Sequence, residues 1–132
     1  MGKSVPPKAE SIHGYVAPVP PAGTPGLFGA SHILVQYRGS MRAGAHVTRT
    51  KAEAKKRAEE VRTRSQKGAR FEDLVVLYSD EPGAAARGGS LGTFPKGRMV
   101  PEFQAGLEAT TVGKISAVVE SPFGFHVILR TQ

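Results

Sequence analysis

The segment SHILVQY, residues 31–37, alternates in side-chain character as a β-strand does. Ile33 and Val35 fall on one side of the predicted strand, and His32 and Leu34 fall on the other. Because successive side chains of a strand point to opposite faces, His32 is placed on a defined face of a sheet.

A second β-rich run, residues 125–130, lies near the other end of the chain and carries His126. It is joined to the run at 115–120 by SPFG, residues 121–124, which is a hairpin signal. In a four-stranded sheet the first and last strands could lie side by side. Both histidines would then point to the same face.

Helices and one more strand are predicted between these runs. Thr50 and Glu53 form a capping box that starts a helix, and Gly68 closes it. The remaining elements are a helix over residues 71–78, a strand over 90–94 and a short helix that Pro101 opens. The predicted fold class is therefore α+β, with helices packed over a small sheet.

Length and composition indicate one domain. The chain has 132 residues, of which 39% are apolar and 22% charged. Residues 1–29 are predicted as a flexible Pro/Gly-rich arm, because six of the ten prolines lie in residues 1–26, and residues 30–132 as the domain. No long apolar run and no signal-peptide pattern is visible, so we expect a cytoplasmic monomer without a membrane span. The absence of cysteine excludes disulfides and a cysteine nucleophile.

The net charge of +7 is concentrated in one region. Between Arg38 and Arg70 eleven Lys and Arg residues stand against three Glu, a balance of 11 − 3 = +8. Such a patch could bind phosphate on nucleic acid, on lipid or on a phosphorylated peptide. A solvated helix face is the equally weighted alternative.

The two strand histidines have several interpretations. Each could be a core histidine bonded to a backbone carbonyl, or the pair could join Glu81 or Asp80 as metal ligands. No His-x-x-x-His or related spacing occurs, so we expect no metal and no other cofactor. A Ser-His-Asp hydrolase is not favoured, since the chain has no G-x-S-x-G elbow.

An apolar cluster follows the glycine-rich stretch ARGGSLG. Leu91, Phe94, Met99 and Phe103 lie within thirteen residues and on different predicted elements. They could line a pocket, although by themselves they are better explained as ordinary core.

Five blocks of the chain, in order, resemble the parvulin-type peptidyl-prolyl cis/trans isomerases. They are SHILV (31–35), TRTKAEA (48–54), FEDL with YSD (71–80), ARGGSLGTF (86–94) and GFHVILRT (124–131). The first and last blocks place the likeness over residues 30–132, and the second and last look closest to the Pin-type branch. No WW domain accompanies it, because the chain has no tryptophan. The resemblance implies a four-stranded antiparallel sheet surrounded by helices, an FKBP-like fold, and catalysis of rotation about Xaa-Pro bonds.

The resemblance also implies roles for individual residues. By position, His32 and His126 match the family's paired histidines, and Ser121 stands where a supporting threonine is usual. Leu91, Met99 and Phe103 match the residues that hold the proline ring. Two positions, Glu81 and Phe123, depart from the family's pattern.

Glu81 stands where the family commonly has cysteine or aspartate, and Phe123 stands where a serine is frequent. Rotation of the amide breaks resonance worth about 18–20 kcal/mol and needs no nucleophile. An anion such as Glu81 near the carbonyl would oppose the negative charge on oxygen, which is greater in the planar amide than in the twisted one. Phe123 is expected to narrow the groove or to contact the residue beside proline.

The substrate is expected to be a proline-containing peptide or protein. Gln36 replaces the lysine that binds phosphate in the Pin-type branch, while Arg38, Arg42 and Arg49 favour an acidic residue before proline. A phosphorylated residue there is the alternative. Two other classes stay open: a non-catalytic proline-peptide binding or chaperone module, and a nucleic-acid binder using the helix at 51–67. The last is least favoured, because that helix lacks interleaved aromatic residues.

Overall fold

The structure, a computed structural model, describes residues 26–132. The arm predicted for residues 1–29 therefore lies, up to residue 25, outside the described residues. The strands are β1 (Leu27–Val35), β2 (Ser90–Pro95), β3 (Val119–Ser121) and β4 (Gly124–Arg130). The helices are α1 (Lys51–Gln66), α2 (Phe71–Tyr78) and α3 (Pro101–Glu108), and a short 3₁₀ turn covers Ala85–Arg87.

The four strands form one antiparallel sheet in the order β2-β1-β4-β3. The predicted α+β fold is confirmed, and β1 and β4 lie side by side in the centre of the sheet. His32 is opposite Ile128 and Leu34 is opposite His126. The two histidines are thus diagonal neighbours on one face of the sheet.

The sheet is covered on both faces. One face carries Ile33, Val35 and Val127 and packs against α1 and α2. The other face carries Ala30 and Ile128 and packs against α3. Because β1 is buried on both faces, its side chains alternate in size and polarity between the faces, but they do not alternate in exposure to solvent.

Local sequence signals account for the helices. In α1 the Thr50 side chain accepts from the Glu53 amide, and the Glu53 carboxylate accepts from the Thr50 amide, which is the predicted capping box. The thin apolar stripe of α1, residues Ala54, Ala58 and Val61, is fully buried. These small side chains let the helix pack closely on the sheet.

Two strand boundaries differ from the prediction. β1 begins at Leu27, four residues before Ser31, because Leu27–Gly29 pair with the end of β2. The predicted strand at 115–120 is reduced to β3 and one isolated bridge of Ile115 to Leu129. The ladder is interrupted because the Ile128 amide donates to the Ser116 hydroxyl, a side chain, instead of to a backbone carbonyl.

None of the helices within residues 26–132 is both long enough and apolar enough to cross a membrane.

Candidate active site

A cleft of about 660 Å³ opens on the sheet face that carries the histidines. β1 and β4 provide its floor, α3 and the segment before it provide one wall, and the β3–β4 turn provides another. The residues that line it are His32, Leu34, Gln36, Arg42, Glu81, Pro82, Leu91, Arg98, Met99, Val100, Phe103, Phe123 and His126. Most of the site residues predicted from the sequence line the cleft, and Ser121 bonds to one that does. Arg38 and Arg49 do not line it.

The apolar part of the cleft is formed by Leu91, Met99 and Phe103. The Phe103 ring packs edge-on against both histidine rings, with centroid distances of 5.5 Å to His32 and 5.4 Å to His126. Phe94, the fourth member of the predicted cluster, is buried in the core instead. The cluster is therefore divided between core and cleft.

A continuous chain of hydrogen bonds runs across the floor of the cleft. Glu81 Oε1 lies 2.8 Å from His32 Nε2, and His32 Nδ1 lies 3.2 Å from His126 Nδ1. His126 Nε2 lies 2.6 Å from the Ser121 hydroxyl, which also accepts the Phe123 amide at 3.1 Å. Both histidines are almost fully buried, at 6% and 4% exposure, so these bonds replace their contacts with water.

Two members of this chain of hydrogen bonds, Glu81 and His126, have pKa values below their ordinary ones. Burial raises the pKa of Glu81, but the hydrogen bond from His32 and the nearby charges of His32 and Arg87 outweigh it and leave the pKa below its usual value. Burial, with a smaller contribution from His32, lowers the pKa of His126 to about 3. Neutral His126 carries a single ring proton, so one of its two nitrogens donates a hydrogen bond and the other accepts one.

The same hydrogen bonds occupy the histidine ring nitrogens that the metal interpretation requires as ligands. His32 and His126 turn Nδ1 toward each other, and their Nε2 atoms bond to Glu81 and Ser121. Asp80, the other candidate ligand, pairs with Arg49 at 2.6 Å. Within residues 26–132 no group of three or more His, Asp or Glu side chains is arranged to hold a metal ion.

The predicted basic residues near the cleft occupy different positions. Arg42 lines the cleft, and its guanidinium lies 5.9 Å from the centre of the Phe123 ring. Arg42 also has a positive φ of 64°, which is uncommon outside glycine. Arg38 is exposed and does not line the cleft. Arg49 is bound to Asp80 and to the Gln36 carbonyl, so it supports the strand end and does not face a substrate.

Sequence reasoning missed Arg87 and Arg98. Arg98 lines the cleft beside Met99. Arg87 lies behind Glu81, with Nη2 2.9 Å from Glu81 Oε2. The block ARGGSLGTF contains Arg87, but nothing in that block indicates a partner six residues earlier in the chain.

Much of the basic face on α1 is already engaged. Arg57 donates to carbonyls at the end of α2, Arg62 to the Ser116 carbonyl, and Arg64 to the Tyr78 hydroxyl. Lys51 pairs with Glu120. These contacts weaken the nucleic-acid interpretation, because the guanidinium groups that donate to the protein have fewer N–H donors left for phosphate.

Comparison with known proteins assigns the family. The profile of the PPIC-type PPIASE domain matches residues 23–131. The chain is 37% identical over 127 residues to the peptidyl-prolyl cis-trans isomerase pin1 of Schizosaccharomyces pombe, covering 92% of this chain and 71% of that one. It is 39% identical over 103 residues to the chaperone SurA of Alkalilimnicola ehrlichii, covering 78% of this chain and 22% of that one.

Solved structures agree with the fold. The solution structure of TbPIN1 superposes with a TM-score of 0.72 at 30% identity and covers 83% of this chain and all (100%) of that one. Fold and cleft together define an α+β domain of the parvulin class. The chain belongs to the PPIC-type, or parvulin-type, peptidyl-prolyl cis/trans isomerases, as the sequence blocks predicted. It spans about a fifth of the length of the SurA chaperones that it matches.

Proposed function

We propose that this parvulin-type isomerase favours Xaa-Pro bonds in which the residue before proline is acidic. We further propose that it is a member of the Pin-type branch. The observation that carries the substrate preference is the position of Arg42, which lies on the rim of the cleft that holds the histidine pair. The similarity to pin1 and TbPIN1 supports the branch.

The cleft has the properties that amide rotation requires. The proline ring is gripped by Leu91, Met99 and Phe103, which hold it in an apolar environment where the polarised planar amide is disfavoured. The Glu81 carboxylate, ionised and fixed by its hydrogen bonds, opposes negative charge on the carbonyl oxygen. Since that charge is lower in the twisted state, the anion lowers the barrier. The histidines hold the floor rigid and do not exchange protons with the substrate.

The proposed preference for an acidic residue before proline follows from the positive charge of Arg42. Arg42 has no ion-pair partner among residues 26–132, so its guanidinium can pair with a carboxylate of the substrate. Its contact with the Phe123 ring keeps the guanidinium on the rim. Gln36, at the position of the family's phosphate-binding lysine, is buried and donates to the Met41 carbonyl.

The preference is tested by measuring kcat/KM for Ala-Pro, Glu-Pro and phosphoSer-Pro peptides. We expect the wild-type chain to favour Glu-Pro over Ala-Pro roughly three- to tenfold, the value of a part-exposed ion pair. Arg42→Gln should remove most of that ratio and leave Ala-Pro turnover nearly unchanged. Lys56→Gln, which removes an exposed charge on α1, is the matched control and should keep the ratio.

Two results would contradict the proposal. Equal turnover of Glu-Pro and Ala-Pro would exclude the acidic preference. Turnover confined to the phosphoSer-Pro peptide would show that phosphate is required, which is the alternative drawn from the Pin-type branch. The cytoplasmic location and monomeric state expected from the sequence stay predictions.

A proline-peptide binding or chaperone function is the second candidate. One observation favours it: relatives 36–43% identical to the chain are SurA chaperones and PrsA foldases. It predicts that a non-native protein chain is kept from aggregating by the Glu81→Gln variant as well as by the wild type. If the Glu81→Gln variant lost both the protection against aggregation and the isomerase activity, the result would contradict the chaperone function.

A further inference from the structure

Arg87 is held in a short turn directly behind Glu81. Its Nη2 lies 2.9 Å from Glu81 Oε2, the oxygen that does not bond to His32. Its Nε donates to the Ser90 carbonyl at 3.0 Å, at the start of β2. The guanidinium is therefore fixed at one end by the backbone and holds the carboxylate at the other.

The turn that carries Arg87 is itself anchored on His32. The Gly89 carbonyl accepts the His32 amide at 2.9 Å, and the Gly89 amide donates to the Ala84 carbonyl at 3.0 Å. A Cβ atom at Gly89 would lie 2.6 Å from the His32 carbonyl oxygen. The sequence Arg87-Gly88-Gly89 thus ties together both partners of the Glu81–His32 bond: the guanidinium holds Glu81, and the glycine backbone holds the strand at His32.

We propose that Arg87 is a positioning residue for the isomerase reaction, which keeps the Glu81 carboxylate oriented on His32 Nε2 and facing the cleft. The inference rests on the proposed function, in which Glu81 acts on the amide. Arg87 does not line the cleft, so it acts through Glu81 and not on the substrate.

Removing Arg87 has two physical consequences. The carboxylate loses one of its two fixed partners, and about a quarter of the Glu81 side chain is exposed, so it can turn toward water. The carboxylate also loses a neighbouring cation. The charged and titratable groups that face Glu81 are Arg87 from the turn, His32 from β1 and His126 from β4. Without Arg87 the pKa of Glu81 rises and the ionised form is lost at higher pH.

The test is a double-mutant cycle on kcat/KM with an Ala-Pro peptide, using Arg87→Gln, Glu81→Gln and the combined variant. We expect each single change to lower kcat/KM roughly tenfold, as loss of a charge-assisted contact in an active site does. The combined variant should be no slower than Glu81→Gln alone, because Arg87 acts only through Glu81. Arg87→Lys, which keeps the cation, should restore part of the rate.

A pH profile separates positioning from a merely structural role. In Arg87→Gln the acidic limb of the kcat/KM profile should lie at higher pH than in wild type, because the pKa of Glu81 rises when Arg87 is removed. Arg62→Gln is the matched control, because Arg62 is also part-buried and donates to one backbone carbonyl, that of Ser116. It should change stability without moving the limb.

Three results distinguish the possible failures. If the wild-type chain does not accelerate isomerisation, the proposed function is wrong. If the wild type is active but Arg87→Gln keeps full activity, only the positioning role is wrong. Additive losses in the combined variant would likewise overturn it, since they would show that Arg87 acts independently of Glu81.

Discussion

Buried polar residues in this domain are stabilised by one another. His32, His126 and Ser121 are nearly inaccessible to water, yet each ring nitrogen and the hydroxyl has a partner. A buried polar group without a partner lowers the free energy of unfolding by about 1–3 kcal/mol. Substituting one of these residues would leave its neighbour without a partner. The residues of the cleft floor therefore depend on one another, and their contributions to stability are better measured with double variants than with single ones.

Acid should weaken the fold through His126. The pKa of His126 lies near 3 in the folded state because of burial, whereas an unfolded histidine titrates near its ordinary value of 6.5. Between these values the unfolded chain binds a proton that the folded chain does not, so stability is lost as pH falls from 6.5 toward 3. The loss amounts to at most about 1.4 kcal/mol per pH unit. Urea unfolding at a series of pH values measures it.

Glu81 acts in the same direction at lower pH, because its pKa is also lowered in the folded state. The imidazole NMR signals of His126 provide a second measurement that needs no variant. A His126 ring that becomes protonated near pH 6 would contradict the prediction.

Among the secondary-structure elements, a glycine before β2 and a glycine within β2 differ in what surrounds them. Gly89 and Gly92 have nearly the same positive φ, 77° and 70°. A Cβ atom at Gly89 would meet the His32 carbonyl oxygen at 2.6 Å and Val75 Cγ2 at 2.8 Å, whereas at Gly92 nothing lies within 4 Å. The first glycine therefore determines how closely the turn before β2 approaches β1, and the second determines only the local backbone.

The pair separates backbone strain from steric contact. Gly92→Ala should cost about 1–2 kcal/mol of unfolding free energy, the price of a left-handed alanine. Gly89→Ala should cost at least about 2 kcal/mol more, because the carbonyl and Val75 must also move. Chemical denaturation of both variants measures the difference. Equal losses would show that the turn can move away from β1 freely.

At the scale of the whole molecule, charge is distributed unevenly. The net charge is +7, but Arg49, Arg57, Arg62 and Arg64 are engaged in hydrogen bonds or ion pairs within the domain. Arg42 and Arg98 line the cleft and form no ion pair among the described residues. The cleft itself therefore presents positive charge to a substrate.

Salt should consequently act on substrates selectively. Raising ionic strength from about 0.01 M to about 1 M shortens the Debye length from about 30 Å to about 3 Å. The kcat/KM for a Glu-Pro peptide should fall several-fold over this range, since attraction to the basic cleft is screened. The Ala-Pro peptide serves as the control, and its kcat/KM should change little. A parallel loss for both peptides would indicate a general effect of salt on the enzyme.

Features that depend on near neighbours in the chain follow from the amino-acid sequence alone. The Thr50–Glu53 capping box, the spacing of the apolar residues in α2 and the SPFG turn are each decided within a few residues, and each is present in the structure. The five sequence blocks also placed the chain in its family, because their order is specific. The strand predicted at 115–120 was mostly wrong, because a serine side chain there interrupts the ladder.

The contacts between side chains that are distant in sequence depend on the tertiary structure. His32 and His126 are 94 residues apart in sequence, and His32 and Glu81 are 49 apart. Their contact depends on the β1–β4 register and on the turn that anchors Gly89, and neither is encoded in local pattern. The same holds for Arg38 and Arg42: both lie in one basic loop, but the path of the backbone turns only Arg42 toward the cleft. Local propensity acts over a few residues, whereas a site is assembled by packing between elements that are distant along the chain.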